Sequence, residues 1–180
     1  FSTGSGGLGG AMTIFSSFTQ DFLEENDLLE NEPNKMISIF GDAELDEGNV
    51  YEALLEGAKH NLKNCWWIID YNRQSLDGIV FEKLFEKIIN LFELMDWNVE
   101  ILKYGSKLQK LKKSKSGKKI LKWIDNCPND LFSALTYQGG KDWRKTLLEV
   151  FSNDQDTINL IQSFNDEDLN GLMTNLAGHD

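Results

Sequence analysis

Cysteine and proline are scarce in this chain of 180 residues, at two each, and no apolar run is long enough to cross a bilayer. Each shortage excludes something. A membrane helix needs roughly 20 consecutive apolar residues, so nothing here reads as a span. Cys65 and Cys127 have no metal-ligand spacing, and Cys65 opens an apolar run; two reduced, packed thiols in a cytoplasmic protein are expected rather than a disulfide framework. The chain opens on Phe1 and a glycine-rich stretch, with no basic, apolar leader, and so reads as part of a larger protein. A net charge of −11 argues against nucleic acid as a general partner. That charge is uneven. Positions 103 to 122 hold nine lysines and no acid, which leaves −20 on the remainder.

What is present is an ordinary globular composition, 41% hydrophobic and 26% charged, of a size that can bury a core. The opening "STGSGGLGG" can only be a loop. It leads into "AMTIFSSFTQDFLEENDLLE", where Ile14, Phe15, Phe18, Phe22 and Leu23 recur at helical spacing. A glycine loop before a helix can present N–H groups and a positive helix end to an anion, a weak signal by itself. Pro33 punctuates the link to "MISIF", a short strand, and "EGNVYEALLEGAKHNL" follows as a helix whose Ala53, Gly57 and Ala58 permit close packing. "CWWIID" reads as a second strand, "FEKLFEKIINLFELM" as a helix and "WNVEILKY" as a third strand. Strands apolar on both faces and separated by helices predict parallel βαβ units.

From Gly105 onward the pattern is helical, ending in "NDEDLNGLMTNLAGHD" with Asn165 or Asp166 as its cap. The lysine-rich segment, with Ser114, Ser116 and Gly117 in its middle, reads as a solvated helix pair or as a docking patch for an acidic partner. His60 lies in a helix between strands and reads as a surface or packing residue. His179 is assigned no role.

The stretch "FGDAELDE" sets four acids within six positions at the tip of the first strand. Ligands of an open parallel sheet bind outside the carboxyl ends of its strands, and both Asp42 and Asn72 follow strands. A hard cation such as Mg²⁺ wants oxygen ligands and keeps substrate phosphates in its shell. Asp and Asn after strands are also ordinary turn residues, so these features leave both readings open.

The spacing carries more. "GD" followed thirty residues after the Asp by Asn, each behind an apolar strand, resembles the thiamine diphosphate motif of the transketolase-like superfamily, which opens Gly-Asp-Gly and closes with Asn. The flanks "GDAELDE" and "NRQSLDG" are similar to GDGEMDE and NLQRLDG of the homodimeric bacterial pyruvate dehydrogenase E1 family. "FSTGSGGLGGAM" resembles that family's glycine loop, "WNVEILKYGS" its next strand, and "LAGHD" its GGHD segment.

The resemblance implies a transketolase-like α/β fold: a parallel sheet with flanking helices and a helical C-terminal part, forming an incomplete domain. Residues 1–104 would be the core of the diphosphate- and Mg²⁺-binding domain and 105–180 its helical continuation, with the pyrimidine-binding and C-terminal domains absent. It implies Asp42, the Asn72 side chain and the Gln74 carbonyl as Mg²⁺ ligands. Ala43 and Glu44 would lie by the diphosphate of thiamine diphosphate, Glu47 at the pocket edge, and Ser5 and Gly6 in the nearby loop. No catalytic residue is implied in this stretch. The activity implied is oxidative decarboxylation of pyruvate with acetyl transfer to a lipoyl group on E2, in a homodimer, these 180 residues being inactive alone. A transketolase, another thiamine diphosphate-dependent 2-oxoacid enzyme and a non-catalytic relative are the alternatives. The sequence departs from the family at Ala43, where glycine is usual, and at Gly6 and Gly10, where larger residues are.

Overall fold

The computed structural model describes residues 4–29, 34–72, 74–75, 78–79 and 84–178. Pro33, Arg73, the start of the "FEKLFEKIINLFELM" helix and His179 lie outside the described residues. The chain is mixed α/β and mostly helical, and it divides into two compact units, Phe1–Val99 and Glu100–Asp180.

In the first unit, α1 (Leu8–Glu25) leads to β1 (Met36–Gly41), a 3-10 turn (Asp42–Asp46), α2 (Gly48–Lys59) and β2 (Cys65–Asp70). After β2 come a short antiparallel pair, β3 (Gln74–Ser75) with β4 (Gly78–Ile79), and then α3 (Leu84–Leu94). β1 and β2 run parallel in the register Met36↔Cys65 to Gly41↔Asp70, as the βαβ reading expects. One face of this two-stranded sheet carries the core. Phe40, Trp67, Phe92 and Trp97 meet there edge-on or tilted, with ring centroids 5.1 to 5.8 Å apart, and Leu45, Val50 and Leu54 close around them. A second cluster joins Ala11 and Ile14 of α1 to Ala53 of α2 and Cys65. Gly57 lets α2 come close, since a Cβ there would lie 3.2 Å from Ile14 Cδ1.

Three expectations need correction. The strands are not apolar-buried on both faces: Ile37, Ile39, Trp66 and Ile68 form an open side, with Ile39 73% exposed. No described element packs on it within this unit. The stripe of α1 differs too. Phe15 and Phe22 are exposed, whereas Gly10, Ala11, Ile14, Ser17 and Gln20 are buried. The polar members are satisfied across the helix: the Ser17 hydroxyl donates to Asn64, and the Gln20 amide exchanges bonds of 2.6 and 3.1 Å with the Asn34 backbone. Hydrogen bonding thus permits a burial that hydropathy alone does not foresee. Finally, "WNVEILKY" forms no named strand. Trp97 and Val99 pack on the first unit's core, Leu102 is 84% exposed, and Tyr104 makes one antiparallel bridge to Leu176. Apolar residues of β propensity become a strand only where a ladder partner exists, and the described residues offer only that bridge.

The second unit is a set of helices: α4 (Ser106–Leu111), α5 (Lys115–Asn126), α6 (Asn129–Gln138), α7 (Gly140–Val150), α8 (Gln155–Gln162) and α9 (Asp166–Met173). Trp143 of α7 is fully buried at their centre, edge-on to Phe132 and Trp123. The lysine-rich segment breaks at Ser114, whose hydroxyl caps α5 by accepting from the Gly117 N–H at 2.9 Å. Gly117 is required by close approach: a Cβ there would stand 1.8 Å from the Leu111 carbonyl oxygen. Lysines 107, 110, 112, 113, 115, 118 and 122 are exposed, while Leu108, Leu111, Ile120, Leu121 and Ile124 fill the core beneath. Lys119 pairs with Asp154, and Lys103 with Asp125 at 2.6 Å. Asn165 caps α9, accepting from the Asp168 N–H at 2.7 Å. Cys65 and Cys127 are both buried, and neither is in a disulfide among the described residues.

Candidate functional site

The carboxyl ends of β1 and β2 lie side by side, Gly41 opposite Asp70. The chain leaves β1 directly into the 3-10 turn, and this fixes Asp42 at 6% exposure, the one buried charged side chain among the described residues. Neither of its carboxylate oxygens accepts a hydrogen bond of normal geometry from a described residue. Desolvation is the largest influence and pushes the Asp42 carboxyl above the ordinary carboxylate range. The neighbouring N–H groups of Ala43, Asp42 itself and Asn72 pull it down by less, and the charge on Asp70 pushes it up further. A buried carboxylate without partners is costly. It is the kind of group a cation would compensate.

Asn72 reaches this point through its backbone, and its side chain is exposed. β3, which starts at Gln74, packs against the turn that carries Asp42. Asp42, Asn72 and Gln74 therefore share one sheet edge. Among the described residues no three His, Cys, Asp or Glu side chains are grouped to hold a metal; a set with a single carboxylate is of a different kind.

The glycine loop comes to the same turn. Gly7 donates its N–H to Glu44 Oε2 at 2.8 Å. A Cβ on Gly6 would lie 3.4 Å from Glu47 Oε1. Gly7 has φ +74°, and a Cβ there would meet Asn49 Oδ1 at 2.4 Å and Val50 Cγ2 at 2.8 Å. Gly7→Ala combines about 1–2 kcal/mol of left-handed strain with about 1–3 kcal/mol of overpacking. Its urea midpoint should fall clearly with the m-value unchanged, and an unaltered midpoint would contradict this geometry. A cavity of about 490 Å³ opens beside the loop, lined by Gly4, Ser5, Gly6, Thr13, Ile39 and Glu44 among others. Among the described residues no basic side chain lines it.

Ala43 occupies the place where the family motif carries glycine. It lies within the 3-10 turn, and positive φ among the described non-glycine residues is confined to Asp27, Asn61 and Asp96. Ala43 therefore carries no left-handed strain, and its methyl group is compatible with the turn. His60 ends α2, exposed, with its ring 4.9 Å from that of Phe18, a packing role. The Glu44–Gly7 bond is the feature that the sequence signalled least, because its partners are 37 residues apart.

Comparison with known proteins bears on the whole chain. It is 28% identical over 183 aligned residues to the pyruvate dehydrogenase E1 component of Buchnera aphidicola subsp. Schizaphis graminum. The corresponding figure is 26% over 182 for that of Escherichia coli K12 and 27% over 182 for that of Cupriavidus necator. Each match takes in 100% of this chain. The chain is a partial homologue of bacterial pyruvate dehydrogenase E1 components. It spans about 20% of the length of these E1 relatives. No protein-family model matches. No helix among the described residues is long and apolar enough to cross a membrane.

Proposed function

We propose that this chain supplies the part of a pyruvate dehydrogenase E1-type enzyme, of transketolase-like fold, that anchors Mg²⁺ and the diphosphate of thiamine diphosphate. The observation that carries the reading is the buried Asp42 carboxylate, to which no described residue gives a hydrogen bond of normal geometry, at the carboxyl end of two parallel strands. Asn72 and Gln74 lie at the same edge. The residues fit a hard divalent cation, since their donors are all oxygens: one carboxylate, one amide oxygen and one backbone carbonyl. Asp42, the Asn72 side chain and the Gln74 carbonyl would hold Mg²⁺. Ser5, Gly6, Ala43 and Glu47 would form the diphosphate edge, with Glu44 holding the glycine loop to it through the Gly7 N–H. With acids at the turn and no basic residue among the described residues that line the cavity, a cation would neutralise the diphosphate. Electrostatics alone then makes cofactor binding metal-dependent.

When bound, thiamine diphosphate supplies the electron sink for loss of CO₂ from a 2-oxo acid. This stretch holds the cofactor's anionic end and keeps it at the sheet edge. Pyruvate is the substrate, and a second E1 subunit and the lipoyl group of an E2 acetyltransferase are the partners in this reading. The 180 residues alone do not turn over. Ala43 raises the rival of a non-catalytic relative; its ordinary φ removes one physical ground for that rival.

Isothermal titration of the chain with thiamine diphosphate should give saturable heat with Mg²⁺ and none with a chelator. Binding that survives Asp42→Ala unchanged would overturn the ligand assignment. Pyruvate decarboxylation by these 180 residues at the rate of a full-length E1 would overturn the claim of inactivity.

A further inference from the structure

Helix α1 begins badly by its own sequence. Its N-cap is Gly7, with no side chain to cap the helix, its next residues include Gly9 and Gly10, and its first turn holds no acid. Helix starts leave N–H groups without intrahelical partners and carry partial positive charge, and glycine is a poor helix former. A carboxylate from elsewhere makes up the deficit. Glu44, in the 3-10 turn after β1, accepts from the Gly7 N–H at 2.8 Å. The backbone of Gly7 is held in the left-handed region against Glu47, Asn49 and Val50. Two segments far apart in sequence, the glycine loop and the acidic strand tip, are thereby clamped on one side of the cavity.

We infer that Glu44 is a positioning residue, which caps α1 through the Gly7 N–H and so holds the glycine loop in register with the Asp42 turn. Its carboxylate already satisfies the loop's amino-terminal donor, so its contribution to cofactor binding runs through the loop rather than through its own charge. That consequence rests on the reading proposed above; the clamp itself does not.

The chemistry requires only an acceptor oxygen at that reach. Gln keeps one, and Ala does not. Amide exchange at Gly7, followed by NMR on the full chain without cofactor, separates them. Glu44→Ala should exchange at least about tenfold faster, as expected for loss of a hydrogen bond to a charged group, and Glu44→Gln should stay within about threefold of the parent. Exchange unchanged in Glu44→Ala, or Glu44→Gln exchanging as fast as Glu44→Ala, would overturn the inference. In titrations with thiamine diphosphate and Mg²⁺, Glu44→Ala should bind about tenfold more weakly and Glu44→Gln near the parent. A Gln variant as impaired as the Ala variant would instead assign Glu44 a direct charge role and overturn it. Should the parent bind no thiamine diphosphate, the proposed function fails, and Gly7 exchange still decides the clamp.

Discussion

Asp42→Asn should make the chain more stable without ligand and unable to take up thiamine diphosphate with Mg²⁺. The two effects have one cause. Folding buries the Asp42 carboxylate without a hydrogen bond of normal geometry from any described residue, and desolvation raises its pKa. A raised folded-state pKa means that the folded chain binds more protons than the unfolded one, so this group costs stability as pH rises above the ordinary carboxylate range. The sign is opposite to that of a paired acid. A neutral amide removes the charge's share of that cost, about 1–2 kcal/mol at pH 7, or a few degrees in melting temperature. The gain should shrink toward zero as pH falls to about 4, where the parent carboxyl is itself protonated. Thermal melts of the two chains from pH 4 to 8, without cofactor, check this. Mg²⁺ saturating with thiamine diphosphate should reverse the order, raising the melting temperature of the parent only, because a ligand stabilises the state it binds. An Asn variant that is stabilised equally by the cofactor would contradict the account.

Trp143→Ala should have the largest effect on folding. Trp143 is fully buried in the second unit and packs edge-on against both Phe132 and Trp123, with centroids 5.4 and 6.2 Å away. Leu147, Ile161, Leu169 and Met173 belong to the same cluster. Removing an indole from such a site costs about 3–5 kcal/mol through lost transfer energy and a residual cavity. That is a large share of a typical domain's stability. Trp143→Phe should cost much less. It keeps an aromatic edge for both neighbours and deletes the indole N–H, which has no hydrogen-bond partner among the described residues. Urea unfolding followed by far-UV circular dichroism separates the two. Equal destabilisation by Ala and Phe would mean that the indole N–H, not the ring's bulk, matters there.

The parallel pair and its crossover helix were legible because their signals are local. β1 and β2 are short, largely apolar runs, and α2 between them shows helical periodicity and small residues at the α1 contact. The helices after Gly105 were legible for the same reason, down to the interruption around Ser114 and the cap of α9 at Asn165; that Ser114 itself caps α5 was not. What failed depended on partners. "WNVEILKY" has strand composition, but only Tyr104 found a bridge. The buried face of α1 was misread because Ser17 and Gln20 enter the core once Asn64 and Asn34 satisfy them, and those residues lie in other segments. At the site, the thirty-residue interval between Asp42 and Asn72 pointed to one sheet edge, where the fold brings them. The Glu44–Gly7 clamp left no pattern in sequence, since any acid at that turn reads as solvated until the loop is folded against it.

The ligand assignment is most directly tested by anomalous scattering from crystals of the chain grown with Mn²⁺ and thiamine diphosphate, Mn²⁺ standing in for Mg²⁺. The account predicts one manganese peak within about 2.2 Å of an Asp42 carboxylate oxygen, Asn72 Oδ1 and the Gln74 carbonyl oxygen, with diphosphate oxygens completing an octahedron. A cofactor bound with its metal elsewhere, or an Asp42 carboxylate still without a cation, would contradict it.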